Sequence, residues 1–85
     1  MADGGALPFK QVILTLETAL ANSAISVKVQ DRYVTLVKDG TPEVILLPDE
    51  VTRRMISRIA HKYGVNTEWF YHPEMIHKGS TGTIN

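Results

Sequence analysis

The residues able to do chemistry are few and scattered. The 85-residue chain holds three histidines, His61, His72 and His77, all in its C-terminal third, with Glu68 and Glu74 close by in sequence. Imidazole nitrogens beside carboxylates form a donor set for zinc and related ions, but they must converge on one point. His72 and His77 are five apart across Pro73, a spacing that does not set both on one helical face, and His61 belongs to a separate element. They read as surface histidines, and no metal site is expected. Paired carboxylates doing acid–base work need burial or close approach to split their pKa values, whereas Asp49-Glu50 stands where a helix is expected to begin. Ser23, Ser26 and Ser57 lack the context of a nucleophile elbow, and the chain has no cysteine. Neither Gly4-Gly5 nor the stretch from Gly79 to Gly82 joins a strand to a helix, as a phosphate-binding loop must. The sequence thus reads as a non-enzyme with no catalytic residue, no cofactor and no evident small-molecule substrate.

Binding signals are better represented. Arg54, Arg58 and Lys62 recur at i, i+4 and i+8 and so form one row on a helix, flanked by Arg53 and His61. Such a row can follow nucleic-acid phosphates or meet an acidic partner, and it also suits a solvated face whose last-turn cations answer the helix dipole. Trp69-Phe70-Tyr71 sets three aromatics in succession, more than one side of a short turn can bury. They form a lid over the core beside Tyr63 or, in part, a protein interface, where aromatic anchors concentrate. Val44-Ile45-Leu46-Leu47 is apolar on both faces of a strand and free of charge. At a sheet edge such a strand invites another chain to pair with it, so Val44 and Leu46 join Trp69, Phe70 and Tyr71 as expected interface residues, with a homodimer or another protein as partner.

These residues must be positioned by a small set of elements. From Pro8 onward, Phe9, Val12, Ile13, Leu16 and Leu20 recur at helical steps, and Asn22-Ser23 supplies a stop. Ile25, Val27 and Val29 alternate with Ser26, Lys28 and Gln30, which predicts a strand with one wet face. Tyr33 to Val37 is a second strand after an Asp31-Arg32 connection, and Asp39-Gly40 is a hairpin dipeptide leading to a third at Glu43 to Leu47. Pro48-Asp49-Glu50 is expected to open a second helix that buries Val51, Met55, Ile56, Ile59, Ala60 and Tyr63 and is capped at Gly64. Asn66 or Thr67 then caps a short aromatic turn. The predicted class is α+β, an α-β-β-β-α order with a three-stranded antiparallel sheet packed against two helices. Residues 8–77 form the single domain, between flexible tails at 1–7 and 78–85.

Composition sets the frame. Nine basic and nine acidic side chains cancel, so net charge gives no argument for a dedicated nucleic-acid or membrane binder. The absence of cysteine, of a basic-then-apolar leader and of any membrane-length apolar run points to a cytoplasmic protein that does not engage membranes.

The stretch from Ile25 to Phe70 resembles the small HicA-type toxins, which share the α-β-β-β-α order of double-stranded-RNA-binding-like domains. The likeness is carried by the strands from Val27 to Leu47, by Pro48, and by Met55-Ile56-Ser57-Arg58-Ile59-Ala60-His61-Lys62-Tyr63-Gly64-Val65. It covers roughly half the chain as a pattern of elements. Members cleave messenger RNA with the histidine of a Gly-Ser-His motif at the second strand. Asp31, Arg32 and Tyr33 stand at those positions here, and no histidine precedes His61. The resemblance therefore implies the fold and binding of RNA or a protein partner; the alternatives to a protein-interaction module are an RNA-binding domain that uses the Arg54, Arg58 and Lys62 row, or a degenerate HicA-like toxin.

Overall fold

A computed structural model describes residues 5–76 of the chain. The element order is β1 (Leu7–Pro8), α1 (Phe9–Ala19), β2 (Ser26–Gln30), β3 (Tyr33–Lys38), β4 (Thr41–Leu46), β5 (Glu50–Val51), α2 (Arg53–Tyr63) and α3 (Thr67–Tyr71). Strands β2, β3 and β4 form an antiparallel meander with β3 in the centre, so the predicted α+β class with a three-stranded antiparallel sheet is what the chain adopts. His77 and the tail expected over 78–85 lie outside the described residues, as do residues 1–4.

The turns explain the register. Asp31 takes φ 57° in the two-residue link between Gln30 and Tyr33, which pair across β2 and β3. Asp39 and Gly40 both take positive φ between the paired Lys38 and Thr41, the requirement that makes Asp-Gly a hairpin dipeptide. Two-residue links fix the pairing and therefore which side chains share a face. Val34 and Leu36 on β3 are fully buried, whereas Tyr33 on the other face is exposed. Both long helices thus cover one face of the sheet and leave the other open.

The core lies between this face and the helices. Val12, Leu16 and Leu20 of α1 meet Ile56, Ile59 and Ala60 of α2 together with Val34, Leu36, Leu47 and Phe70. Each fully buried aliphatic or aromatic side chain of this kind contributes about 1.5–3 kcal/mol. Thr15, the buried polar residue of the core, satisfies its hydroxyl by donating to the Gln11 carbonyl at 2.8 Å.

Several expected boundaries move. Leu7, placed in the N-terminal tail by its composition, is half-buried and pairs with Val51, while Pro8 pairs with Glu50, so a two-stranded bridge closes the chain's N-terminal side. Pro8 is the N-cap of α1 with extended backbone, not its first helical residue. The second helix does not open at Pro48-Asp49-Glu50. Glu50 and Val51 are used as strand, and Thr52 caps α2 by accepting from the Met55 N–H at 3.3 Å. No acidic side chain sits in the first turn of α2, and Asp49 instead pairs with Arg32 at 2.7 Å. Gly64 is the expected C-cap, with φ 71° in the left-handed region. Asn66 caps α3 by accepting from the Glu68 N–H at 2.9 Å.

Candidate functional site

The structure separates the residues expected at a single interface. Val44 and Leu46 lie on the open face of the sheet, 62% and 52% exposed, beside Tyr33 at 48%. Trp69, Phe70 and Tyr71 belong to α3, which packs against α1 and α2 in the helix layer on the opposite side. Phe70 is fully buried in the core and is corrected out of the interface set: its ring fills the space between helices and its carbonyl accepts from Gln11 Nε2 at 2.7 Å. Trp69 and Tyr71 are half-buried against that core. The Tyr71 hydroxyl donates to the Gly5 carbonyl at 3.0 Å, and Arg53 stacks over its ring at 5.5 Å. Trp69 and Tyr71 thus pack over the core while each keeps part of its ring exposed.

Strand β4 is an edge strand of the sheet, paired on one side only, with β3. Its pairing with β3 places Leu46 opposite Tyr33, Val44 opposite Thr35 and Pro42 opposite Val37 on the open face. The Leu47 N–H donates to the Arg32 carbonyl at 2.9 Å, and bonded pairs alternate along an antiparallel ladder. The backbone groups of Pro42, Val44 and Leu46 therefore point away from β3 to the free edge. Pro42 has no N–H, which suits an edge position, so the donors offered there are those of Val44 and Leu46. The opposite edge, β2, carries Lys28 on the open face, a residue type that blunts edge pairing, whereas the open face of β4 carries no charge.

On the helix side of β4 the chemistry changes. Glu43, Ile45, Met55, Arg58, Ile59, Lys62 and Tyr63 line a cleft of about 260 Å³ between the strand and α2. Glu43 Oε1 accepts a short hydrogen bond from the Tyr63 hydroxyl and pairs with Lys62 Nζ at 2.6 Å. The bonds from Lys62 and Tyr63 hold the Glu43 carboxyl below the usual carboxylate range. Burial, reinforced by the Glu43 carboxylate, pushes the Tyr63 hydroxyl up to about 12. Glu43 thus stays ionised and Tyr63 protonated near neutrality, so the pair is a fixed charge with its donor rather than a proton-transfer couple. Lys38 closes the end of the cluster, its Nζ donating to the Lys62 carbonyl at 3.1 Å.

The expected row of Arg54, Arg58 and Lys62 is present on α2 with all three side chains exposed. It is not uniform, because Lys62 is committed to Glu43 while Arg58 lines the cleft. His61 is exposed, and His72 lies 3.8 Å from Glu74 at the other end of the helix layer. Among the described residues no group of three or more potential ligands converges as a metal site. Also among them, no helix is long and apolar enough to cross a membrane.

Sequence reasoning missed Glu43. Its signal was phase: it alternates with Val44 and so shares the buried-side face with Ile45, where a carboxylate needs a cationic partner. No family model, curated protein or solved structure matches the chain.

Proposed function

We propose that this chain is a non-enzymatic protein-interaction module that takes up its partner along β4, by strand addition at the free edge and apolar contact on the open sheet face. One observation carries the reading. The exposed side chains Val44 and Leu46 of the edge strand β4 share one sheet face with Tyr33 of the neighbouring β3, and the unpaired N–H groups of β4 are those of Val44 and Leu46. Main-chain hydrogen bonds would supply affinity and the alternate side chains would supply selectivity.

The RNA reading rests on Arg54, Arg58 and Lys62, and two facts weigh against it. Lys62 is already paired with Glu43, and the chain as a whole carries no net positive charge. The likeness to HicA-type toxins supplies no catalytic histidine at the second strand, where Asp31, Arg32 and Tyr33 stand. A cytoplasmic setting belongs to the same proposal and rests on the lack of cysteine.

The test uses Val44→Pro, which deletes a free-edge donor without touching the β3 ladder. Partners recovered from the native host by the full-length wild-type chain should be lost with this variant, while its amide spectrum away from β4 stays native. Recovery of the same proteins by both chains would refute the edge as the binding element. Recovery that is abolished by ribonuclease and by Arg54→Glu, yet unaffected by Val44→Pro, would establish the RNA reading instead.

A further inference from the structure

The proposal of strand addition leaves the occupant open, and the charges beside the edge select it. Arg58 and Lys62 line the cleft with Glu43, which pairs with Lys62, and Lys38 reaches the Lys62 carbonyl at its end. Arg54 continues the row one turn further along α2. The helix side of β4 thus carries more positive than negative side chains, while the open face of the same strand carries no charge.

The direction of that charge follows from the packing. Lys62 and Tyr63, at the end of α2, meet Glu43, while Met55, Arg58 and Ile59 lie with Ile45 around the same cleft. The helix therefore runs antiparallel to β4, with Arg58 and Lys62 in the cleft beside Glu43 and Ile45. Side chains of a strand added at this edge would alternate. One set would lie on the open face beside Val44, Leu46 and Tyr33, and the other would enter the cleft beneath Arg58 and Lys62. Resting on the strand-addition reading, we infer that the occupant is an extended segment of another protein that alternates apolar residues with aspartate or glutamate, its carboxylates facing Arg58 and the Lys62–Glu43 pair.

A second copy of this chain fits the same edge poorly. The two-fold axis that pairs β4 with itself antiparallel runs normal to the sheet, so both α2 helices lie on the same face of the combined sheet, across the axis from each other. Arg58 and Lys62 of each copy would then face their counterparts across the axis, a like-charge juxtaposition with one carboxylate per copy to relieve it. An acidic strand turns the same layout into attraction and satisfies Arg58, whose guanidinium is suited to bidentate carboxylate contact.

The experiment titrates the full chain, followed by amide NMR, with three short synthetic peptides. The first alternates valine and glutamate, the second alternates valine and lysine, and the third is the glutamate peptide N-methylated at alternate backbone nitrogens. Expected is saturable binding of the glutamate peptide with shifts at the Val44 and Leu46 amides and slowed hydrogen exchange there. Binding should weaken by about tenfold or more between low salt and ~0.5 M. The lysine peptide should not bind wild type. Arg58→Glu, an exposed substitution, should exchange the preference between the two charged peptides. Equal binding of the glutamate and lysine peptides at those amides would overturn the acidic assignment and leave strand addition standing. So would a stable dimer of the free chain with Val44 and Leu46 amides protected. Undiminished binding of the N-methylated peptide would instead remove strand addition itself, and the acidic-strand assignment with it. Absence of binding by all three peptides to a monomeric chain would overturn the acidic assignment.

Discussion

Glu43 is the residue on which strand, helix and hydroxyl converge. Its Oε1 takes both the Tyr63 proton donor and the Lys62 ammonium, so a single carboxylate ties β4 to the last turn of α2. Tyr63→Phe removes the hydroxyl while keeping the buried ring and should cost about 1 kcal/mol, below the range for a fully buried bond to a charge because Glu43 is partly solvated. Urea unfolding of Tyr63→Phe, Glu43→Gln and the double variant measures this, and the singles should be less than additive because they share one bond. The pH dependence has two limbs. Glu43 has a folded pKa below its ordinary 4.5, so its contribution is present above that value and is lost as pH falls through the lowered one. Tyr63 is raised from 10.0 to about 12, so its contribution is complete below the first value and is lost as pH rises through the second. Urea midpoints plotted against pH should therefore fall on both sides for wild type. Glu43→Gln should flatten the acid limb, and an unchanged acid limb would show that other carboxylates set it.

At the scale of elements, the ends of α2 were legible at one terminus and not at the other. Gly64 announces itself because φ 71° is a conformation that other residues adopt at a cost, and a glycine closing an apolar-periodic run has that use. A Cβ there would touch nothing within 4 Å, so Gly64→Ala should destabilise by about 1 kcal/mol through backbone strain alone. The start was misread because Asp49 and Glu50 look like first-turn acids, and local chemistry favours them there. They are claimed instead by partners distant in sequence: Arg32 for the Asp49 carboxylate, the Phe9 N–H for the Asp49 carbonyl, and the β1 register that sets Glu50 opposite Pro8. A two-residue bridge has too few residues to show a period, so β1 and β5 left no readable mark. The three sheet strands, each with alternation and dipeptide turns, did. The candidate site was half visible: Val44 and Leu46 stand out as uncharged edge residues, but the cleft depends on which face Glu43 shares, and that follows only from the register. Thr52→Ala, removing the cap that replaced the expected acids, should cost about 1 kcal/mol by thermal or urea unfolding. Because Thr52 and Gly64 sit at opposite ends of α2, the losses from Thr52→Ala and Gly64→Ala should add.

At the scale of the molecule, the meander supplies local contacts and the terminal segments supply the long ones. Gln11 reaches the Phe70 carbonyl, Tyr71 reaches Gly5, and Leu7 pairs with Val51, so the N-terminal stretch binds both the segment before α2 and the aromatic helix after it. Arg32 joins this side to the sheet, pairing with Asp49 while its guanidinium stacks over Phe9 at 5.1 Å. The arrangement predicts that residues 1–7, tail-like in composition, add to stability through Leu7. Half-burying a leucine contributes about 1 kcal/mol, and the lost bridge and the Tyr71 bond together contribute roughly another. A chain lacking residues 1–7 should therefore keep its fold but unfold at lower urea, with a loss of about 2 kcal/mol. Leu7→Ser in the full chain should reproduce about half of that loss, since the backbone bridge survives it. Hydrogen exchange localises the effect: the Val51 amide should lose protection in the truncated chain while the β3 amides at Val34 and Leu36 exchange only through global unfolding. If truncation leaves the urea midpoint unchanged, the β1–β5 bridge contributes nothing, and the core between α1, α2 and the sheet is sufficient by itself.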